Sequence, residues 1–508
     1  MKRYLGVLVA TCLFFAVNLH AGSGSSNEAF LRAYRAGYKK LEAKQYEAAL
    51  KDFQEAVSLA KHNHESGPAH VRVAQCLQAQ KKWSAAAASY KKVLGLPIHG
   101  RHEKDLRHQP HIRESIEQLT QIYAKRLKQF DKAEAVLKKM TTYDGVHPHH
   151  YAGSVARLAS DCAREGQHER AAKIMGQALE IEGLNDAWRA RLLVEQAKVY
   201  ARGKDFERAI ASCNQALAQD GAPAHRKIRA LKYRAELFER YLKEPQEAIA
   251  TYKKIMAMPK ASGHYKADAA KHIAEIYRQQ KQYVRALAAI DKGLALEKIN
   301  GDRRCELLTR KGWLMLAAGK PEDAVSIYQK AIKVSDASTP RRAEAWKRLG
   351  ELQERHLKQP EAALKSYRQI DQLPGIHPNR KADALRRISD VYRRLKRTDE
   401  ALAACRAMLD IKKVHVNYKY EALKRIAEIN DREWQQPEAA VKNLKNILAL
   451  PDLHERRKAD ARWRLANTYL NLKKRDAARR VLKDLLAMEK LHPHMKKKAE
   501  KKLKDLSR

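Results

Sequence analysis

Histidine is the residue whose number and spacing in this sequence come closest to a chemical site. Two groups stand out among the 21 histidines: His99, His102, His108 and His111, and then His147, His149 and His150. Three imidazoles of either group could bind a transition metal ion through nitrogen at about 2.0 to 2.1 Å. A metal site is therefore one interpretation of these residues.

The same histidines also fit a structural role. His147 has counterparts at His377, His415 and His454, which recur at one position of a repeating pattern described below. Equivalent positions on neighbouring packed helices lie roughly 8 to 10 Å apart, too far to share one metal ion. We therefore expect these residues to pack or cap at junctions between helices, and we predict no metal and no other cofactor.

No other motif of known chemistry occurs in the sequence. It contains no glycine-rich phosphate loop, no Gly-x-Ser-x-Gly turn, no His-Glu-x-x-His pair and no aspartate-rich calcium loop. Carboxylates are abundant, but they recur with the period of the repeat, as residues on helix surfaces do. We predict no enzyme activity and no catalytic residue.

The elements that carry these residues follow from an internal repeat. The chain has 508 residues, of which 44% are hydrophobic and 32% charged, with 21 Gly and 15 Pro, a composition typical of a folded helical protein. One alanine recurs at steps of 37 to 39 residues, apart from a single step of 47. Its positions are Ala49, Ala86, Ala133, Ala171, Ala209, Ala248, Ala286, Ala324, Ala363, Ala401, Ala440 and Ala478. A period of this length indicates a stack of similar units.

A second small or compact residue precedes each alanine by 12 or 13 residues. These residues are Gly37, Ala74, Thr120, Ala159, Ala197, Ala235, Ala274, Gly312, Gly350, Ser389, Ala427 and Ala466. Two small residues at a fixed separation allow two antiparallel helices to approach closely. The pattern predicts about twelve αα-hairpins, with Gly166, Gly203 and Gly319 in turns that need positive φ.

This pattern resembles the tetratricopeptide repeat family. The small residue of the first helix, an aromatic residue or Pro three before the repeated alanine, and an aromatic residue four after it match the family signature, as in Pro321, Ala324 and Tyr328. The resemblance covers about residues 27–490, although the period is longer than the roughly 34 residues of the family. It implies an all-α, right-handed superhelix over residues 28–490, whose groove is lined by the first helices. A basic capping helix is expected in residues 491–508.

The N-terminus has the pattern of a secretory signal peptide. Lys2 and Arg3 precede an apolar run from Tyr4 to Val17, and Ala21 offers a small residue for cleavage. The run is shorter than the roughly 20 apolar residues that cross a membrane, which disfavours an uncleaved anchor. We expect cleavage of residues 1–21, a flexible start over residues 22–27, and an exported mature chain, periplasmic or secreted, without a transmembrane span.

Five cysteines follow the predicted signal peptide. They are Cys76, Cys162, Cys213, Cys305 and Cys405, and none forms a close-spaced pair typical of a zinc or redox site. We expect them to be buried small hydrophobes, without a disulfide framework.

Acidic and basic residues recur on the first helices of the second half of the chain. The acids lie six residues before the small residue and the bases two before it: Glu306, Arg310, Glu344, Arg348, Asp383, Arg387, Glu421, Arg425, Asp460 and Arg464. Each acid precedes its base by four residues, a spacing that stabilises a helix by about 0.2 to 0.5 kcal/mol per pair. These residues are therefore either helix support or a mixed-charge groove that contacts a polypeptide partner.

A second set of bases lies eight or nine residues before the small residue, at the start of the same helices. It comprises Arg303, Arg304, Arg341, Arg342, Arg380, Lys381, Arg457 and Lys458. Cations at the positive end of a helix dipole cost about 0.3 to 1 kcal/mol each unless they are compensated. One hypothesis is an edge beside the groove that binds a polyanion. The other is that these bases add solubility and pair with nearby acids.

Charge and targeting limit the function. The chain carries a net charge of +43 at pH 7, and about twice as much of this excess lies in the second half, which favours anionic partners there. Nucleic acid is disfavoured, because an exported chain does not meet cytoplasmic RNA and carboxylates in the groove repel phosphate. The leading hypothesis is a noncatalytic exported scaffold that binds a protein or peptide. The alternative is a basic helical-repeat protein that binds a polyanion, such as an envelope phosphate or polysaccharide component.

Overall fold

The computed structural model describes residues 25–97, 105–107 and 109–506 of the chain. The predicted signal peptide, residues 1–21, lies outside these ranges, as do His99, His102 and His108. The segment predicted as a flexible start is described from Ser25, which already begins the first helix. No helix in the described ranges is long and apolar enough to cross a bilayer.

The helices fall into two compact units, residues 1–251 and 252–508. The first unit contains α1 (Ser25–Glu42), α2 (Tyr46–Leu59), α3 (Asn63–Ala79), α4 (Trp83–Val93), α5 (Pro110–Gln121), α6 (Phe130–Lys138), α7 (Pro148–Arg164), α8 (His168–Leu179), α9 (Asp186–Arg202), α10 (Phe206–Leu217) and α11 (Ala224–Leu237). Helix α12 (Pro245–Ala257) contains the boundary between the units. The second unit continues with α13 (Gly263–Gln279), α14 (Tyr283–Leu294), α15 (Gly301–Ala317), α16 (Pro321–Ile332), α17 (Thr339–Arg355), α18 (Pro360–Asp371), α19 (Pro378–Arg394), α20 (Thr398–Leu409), α21 (Val416–Glu428), α22 (Pro437–Leu448), α23 (Glu455–Asn471), α24 (Arg475–Leu486) and α25 (Pro493–Asp505).

Each odd-numbered helix up to α23 forms a hairpin with the even-numbered helix that follows it. Within each unit, the second helix of a hairpin also packs against the first helix of the next one. The described residues contain no β-strand, and one isolated bridge joins Asp105 to Asp144. These findings confirm the all-α fold built from twelve αα-hairpins, and α25 follows the last of them.

The spacing of 12 or 13 residues between the paired small residues corresponds to two lengths of turn. In a 12-residue hairpin, the amide of Gln45 donates to the carbonyl of Lys40 at 2.9 Å, five residues back. In the 13-residue hairpins the equivalent bond reaches six residues back: Gln129 to Tyr123, Glu244 to Phe238, Gln359 to Gln353 and Gln436 to Asn430. The extra residue is therefore absorbed where the first helix ends. In three of the four hairpins it forms a π-helical segment: Ile122–Leu127, Phe238–Leu242 and Ile429–Glu433.

In hairpins whose second helix has an aromatic residue four after the repeated alanine, a small residue of the first helix can lie directly under that ring. A Cβ atom added at Gly350 would come within 2.5 Å of the ring of Tyr367, and one added at Gly312 within 2.8 Å of Tyr328. Both rings are almost fully buried. The small residue is therefore needed because a large aromatic side chain occupies the space where the two helices meet.

The turns between paired helices contain one residue in the left-handed region. Gly166 and Gly319 have φ of 84° and 77°, as predicted. The prediction for Gly203 was wrong, because Gly203 has φ of −76° and the next residue, Lys204, takes φ of 64° instead. A non-glycine residue thus adopts the strained conformation although a glycine stands beside it.

Histidines cap the first helices, as the structural interpretation of the sequence predicted. The Nδ1 atoms of His377, His415 and His454 each accept a backbone N–H bond at 3.2 Å from the residue two positions later. His147 does the same at 3.4 Å. His492 caps α25 in the same way, an equivalence that the sequence pattern had not assigned.

All five described cysteines are free and buried, which confirms their expected role as small hydrophobes. Burial raises the pKa of Cys76 to about 11 and that of Cys213 to about 12. The thiols are therefore protonated at neutral pH and are weak nucleophiles.

The contact between glycine and the aromatic ring gives a direct test. Gly350→Ala forces a methyl group against Tyr367 and should lower the free energy of unfolding by about 1 to 3 kcal/mol, measured by urea denaturation. Gly176→Ala is the matched control, because a Cβ there meets no atom within 4 Å. The control should raise stability by roughly 0.5 to 1 kcal/mol. Equal effects of the two substitutions would contradict the packing argument.

Candidate functional site

The charged residues predicted from the sequence lie on the first helices of the second unit, from α13 to α23. We define the first-helix face by four positions on each first helix: nine, six and two residues before the small residue, and one after it. The acids at the position six before are Asp268, Glu306, Glu344, Asp383, Glu421 and Asp460. Each of the six forms an ion pair with at least one Lys or Arg.

The first kind of pair lies within one helix, at the four-residue spacing. Its members and N–O distances are Glu344 and Arg348 at 2.9 Å, Asp383 and Arg387 at 3.0 Å, Glu421 and Arg425 at 2.7 Å, and Asp460 and Arg464 at 2.8 Å. Arg310 differs, because it binds Glu275 of the preceding hairpin at 2.7 Å. The helix-support geometry is therefore present in four of the five candidate pairs.

The second kind of pair joins consecutive hairpins. Arg387 binds Glu351 at 2.9 Å, Arg425 binds Asp390 at 3.0 Å and Arg464 binds Glu428 at 2.6 Å. In each case the carboxylate stands one residue after the small residue of the preceding first helix. Each of these three arginines thus bridges an acid of its own helix and an acid of the previous hairpin, which ties the hairpins together.

Four members of the predicted basic edge take part in the same network. The N–O distances to acids of the preceding first helix are 2.9 Å for Arg303 and Asp268, 3.2 Å for Arg341 and Glu306, 3.8 Å for Arg380 and Glu344, and 3.5 Å for Arg457 and Glu421. These bases therefore lie beside the acids of the first-helix face. We call the combined set of bonds between hairpins the ion-pair ladder.

The remaining members of the predicted edge point elsewhere. Lys381 binds Asp371 of the preceding second helix at 2.8 Å, and Lys458 binds Glu455 of its own helix at 3.0 Å. Arg304 and Arg342 are partly buried. Pairing with nearby acids, one of the two hypotheses drawn from the sequence, thus describes the geometry of most of this set.

The ladder is partly shielded from solvent. Burial would raise the pKa of Asp383, but bonds from Arg386 and Arg387 outweigh it, so the pKa lies below its ordinary value. The same balance of burial against cationic partners lowers the pKa of Glu306, where Lys271 is the main partner, and that of Glu421. These carboxylates are charged at neutral pH, and the lysines and arginines bound to them neutralise their charge.

Two of the equivalent positions in the first unit have the opposite charge. Arg191 and Arg229 stand six residues before the small residues of α9 and α11, where the second unit has carboxylates, and Trp188 and Arg226 stand nine before. Burial, followed by the nearby charges of Arg191 and Arg229, lowers the pKa of Arg226. The buried Nε of Arg226 has no hydrogen-bond partner among the described residues. We call Arg191, Arg226 and Arg229 the arginine cluster.

Two contacts hold this cluster in place. The guanidinium of Arg191 lies over the ring of Trp188 at 4.4 Å, a cation–π contact, and Arg229 reaches Glu195 at 3.1 Å. Of the three arginines, Arg229 alone thus has a carboxylate partner among the described residues, and that carboxylate also binds Lys198 at 2.8 Å. An anionic group could approach this surface and bind the guanidinium groups through charge-assisted hydrogen bonds.

The histidine group near residue 100 does not define a metal site in the described part of the chain. Of its four members only His111 is described, and it packs against Gly67, where an added Cβ would come within 2.6 Å of the ring. Burial lowers the pKa of His111 to about 4. No group of three His, Cys, Asp or Glu in the described ranges is placed to bind a metal.

The repeated hairpin, with a small residue where its two helices meet and with periodic side chains that join it to its neighbours, defines a helical-repeat protein. Residues 309–375 and 460–488 match family models described as tetratricopeptide repeat. These two segments are thus tetratricopeptide repeats, as the sequence pattern indicated. Repeats of this family generally form noncatalytic scaffolds for protein–protein interaction.

Other comparisons give distant similarities. The chain matches no curated protein. The C-terminal part of a TPR repeat-containing protein from Cytophaga hutchinsonii is 13% identical over 52% of this chain and 98% of that chain, with a TM-score of 0.35. The Cut9–Hcn1 hetero-tetramer of APC/C is 12% identical over 94% and 96%, with a TM-score of 0.28, and Naa15/Naa10 bound to HypK-THB is 15% identical over 94% and 86%, with a TM-score of 0.34.

Arg425 allows the contribution of the ladder to stability to be measured. Its side chain is 11% exposed and binds two carboxylates, so Arg425→Gln should lower the free energy of unfolding by about 2 kcal/mol or more. Lys458→Gln is the control, since its single ion pair is with Glu455 of the same helix, which is 51% exposed, and the change should be within about 0.5 kcal/mol. Urea denaturation would reveal whether the two effects differ; equal losses would count against the ladder.

Acid should weaken the ladder. A carboxylate whose pKa is lowered on folding stabilises the folded state above its unfolded pKa, and this stabilisation is lost as the pH falls through the folded pKa. The free energy of unfolding should therefore decrease as the pH falls below 4.5, the ordinary pKa of glutamate. Replacing Glu306, Glu344 and Glu421 by Gln should flatten this pH dependence, measured by denaturation from pH 6 to 3. An unchanged slope would exclude these groups as its source.

Proposed function

We propose that this chain is an exported, noncatalytic scaffold that binds a polypeptide partner on its first-helix face. In the resembled family this face is the concave one, and stacked repeats offer an extended surface for a peptide chain. The observation that carries the proposal is the arginine cluster of α9 and α11. It is a group of cations with one nearby acid, at positions where the second unit pairs its charges.

The chemistry of the cluster suggests a partner with acidic side chains. A carboxylate can accept two parallel bonds from one guanidinium, and Arg191 is already oriented by its contact with Trp188. Mutual repulsion within the cluster disfavours the unbound state, because the pKa of Arg226 is lowered in part by the other two arginines. An acidic ligand would screen that repulsion, so relief of the repulsion between the arginines would contribute to the binding free energy.

The first-helix face of the second unit differs from that of the first unit in how its charges are paired. Its arginines are bound to carboxylates of the chain itself, so a charged ligand there would have to replace existing ion pairs. Its exposed polar atoms can still form hydrogen bonds with a peptide backbone. We propose that the charge-specific contacts are those of the first unit.

Export is the second part of the proposal and depends on the N-terminal sequence alone. Lys2, Arg3 and the apolar run that ends at Val17 support a cleaved leader. Sequencing of the mature N-terminus from the producing cells tests it. A start at Gly22 is expected, and retention of Met1 in a cytoplasmic protein would exclude export while leaving the binding proposal intact.

The binding proposal predicts opposite effects on affinity and stability. The variant Arg191→Gln, Arg226→Gln, Arg229→Gln should bind a fluorescent oligoglutamate peptide about tenfold or more weakly than the native chain, because the cationic contacts are lost. Its thermal stability should stay equal or rise, because the repulsion between the three cations is also lost. Fluorescence anisotropy and circular dichroism measure the two quantities.

A matched control removes three arginines that are already paired. The variant Arg303→Gln, Arg341→Gln, Arg380→Gln has the same net charge as the cluster variant, but it removes cations bound to Asp268, Glu306 and Glu344. It should change oligoglutamate affinity by less than about threefold and should lower stability. Equal losses of affinity in both variants would show that binding depends on net charge and not on the arginine cluster. Absence of oligoglutamate binding by the native chain would refute the proposal.

A further inference from the structure

The turns between paired helices contain an unusual residue. In all twelve hairpins one turn residue is in the left-handed region, and in nine of them it is lysine, with φ between 56° and 64°. These residues are Lys44, Lys81, Lys128, Lys204, Lys243, Lys281, Lys358, Lys396 and Lys473. All nine side chains are exposed. We call them the turn lysines.

Local backbone preference does not explain the choice of lysine. The position after a helix C-terminus favours glycine, because a Cβ atom strains the left-handed conformation. Gly166 and Gly319 occupy this position in two hairpins, so glycine is compatible with the turn. In the one remaining hairpin, formed by α21 and α22, Gln435 takes it.

The helix dipoles do not explain the choice either. A cation is attracted to the C-terminal end of the first helix, but it is repelled by the N-terminal end of the second helix, which begins two residues later. Lys281, for example, stands between the end of α13 and Tyr283, the first residue of α14. The two contributions oppose each other.

Within each unit the turns of consecutive hairpins are neighbours. In the first unit, Lys128 pairs with Glu165, which stands beside the next turn. In the second unit, Thr398 donates to Glu433 at 2.7 Å, and Arg397 binds Glu361 at 2.8 Å, so the turns of three consecutive hairpins are connected. The turn lysines of a unit therefore lie along one edge of its helical array.

The charges on this edge are mostly unmatched. Of the nine turn lysines, Lys128 is the one with an ion-pair partner among the described residues. Further bases follow directly in several turns, including Lys82, Lys320 and Lys474. The edge thus differs from the first-helix face, where cations and carboxylates are paired.

Exposed apolar side chains lie beside two of the lysines. Tyr241 and Val284 are 54% and 83% exposed, and they are two of the three large hydrophobic residues exposed in the described ranges. Tyr241 precedes Lys243 by two residues, and Val284 follows Lys281 by three. Lysine next to exposed aromatic or aliphatic groups is typical of residues that contact the interface of a membrane.

We propose that the edge formed by the turn lysines of a unit, tested below on the second unit, binds the surface of an anionic lipid membrane. A lysine ammonium is a compact charge on a flexible stem, and it suits a diffuse layer of headgroups better than bidentate recognition of one ligand. The turn lysines occur in five of the six hairpins of the first unit and in four of the six of the second, so several lysines along an edge can contact a flat surface together. This site is separate from the first-helix face, so the proposal does not depend on the peptide-binding proposal.

Replacing turn lysines by glycine tests the loss of charge without disturbing the turn, because glycine adopts the left-handed conformation readily. The variant Lys281→Gly, Lys358→Gly, Lys396→Gly, Lys473→Gly removes four charges and relieves backbone strain, so its unfolding midpoint should be unchanged or higher. One lysine near an anionic leaflet is worth about a fivefold change in partition. Partition to vesicles of phosphatidylcholine with phosphatidylglycerol, measured by sedimentation at low salt, should fall by about a hundredfold or more. Replacing the same four lysines by Gln should lower partition equally.

The control variant removes four exposed lysines from second helices of the same unit. Lys292→Gln, Lys330→Gln, Lys365→Gln and Lys445→Gln change the net charge by the same amount away from the turns. This control should retain most of the partition to anionic vesicles, and the native chain should not bind vesicles of phosphatidylcholine alone. An equal loss in both variants would overturn the proposal. So would binding of the native chain to heparin or DNA without binding to anionic vesicles, which would indicate a different polyanion.

Discussion

The close approach of the two helices in each hairpin is the constraint on which the other features depend. A small residue on the first helix makes room for the aromatic ring of the second, as Gly350 does for Tyr367. This contact fixes the register between the two helices, since a shift by one residue would bring a larger side chain under the ring. Once the register is fixed, every surface position recurs at the same place in each hairpin.

That register converts a period in the sequence into contacts between hairpins. The ladder pairs join residues 35 or 36 apart, as in Asp390 with Arg425 and Glu351 with Arg387. The repeat is about three residues longer, so an arginine meets the acid that stands three positions further along the preceding first helix. The ladder thus links neighbouring repeats, and in a repeat protein such nearest-neighbour terms make up much of the stability.

The sequence predicted the features that depend on spacing within one hairpin. Twelve paired small residues predicted twelve hairpins, the four-residue spacing predicted pairs such as Asp383 with Arg387, and the register of His377 and His415 predicted helix caps. It did not reveal the pairs between hairpins, although Glu351, Asp390 and Glu428 were visible, because the offset between stacked helices is set by three-dimensional packing. It also misplaced the strained residue at Gly203, since the length of the turn selects the position and the preference for glycine is too weak to override it.

The distribution of charge limits what net charge alone can predict. The second half of the chain has the larger basic excess, yet its first-helix face is close to neutral, because Arg387, Arg425 and Arg464 are each bound to two carboxylates of the protein. The excess must therefore lie outside this face, for example on the turns and on α25, where Lys496, Lys497 and Lys498 are exposed. The first unit has the smaller excess but contains the arginine cluster, where the buried Nε of Arg226 has no partner among the described residues. Where a cation is left without a carboxylate is thus a better guide to an anionic partner than how many cations a segment contains.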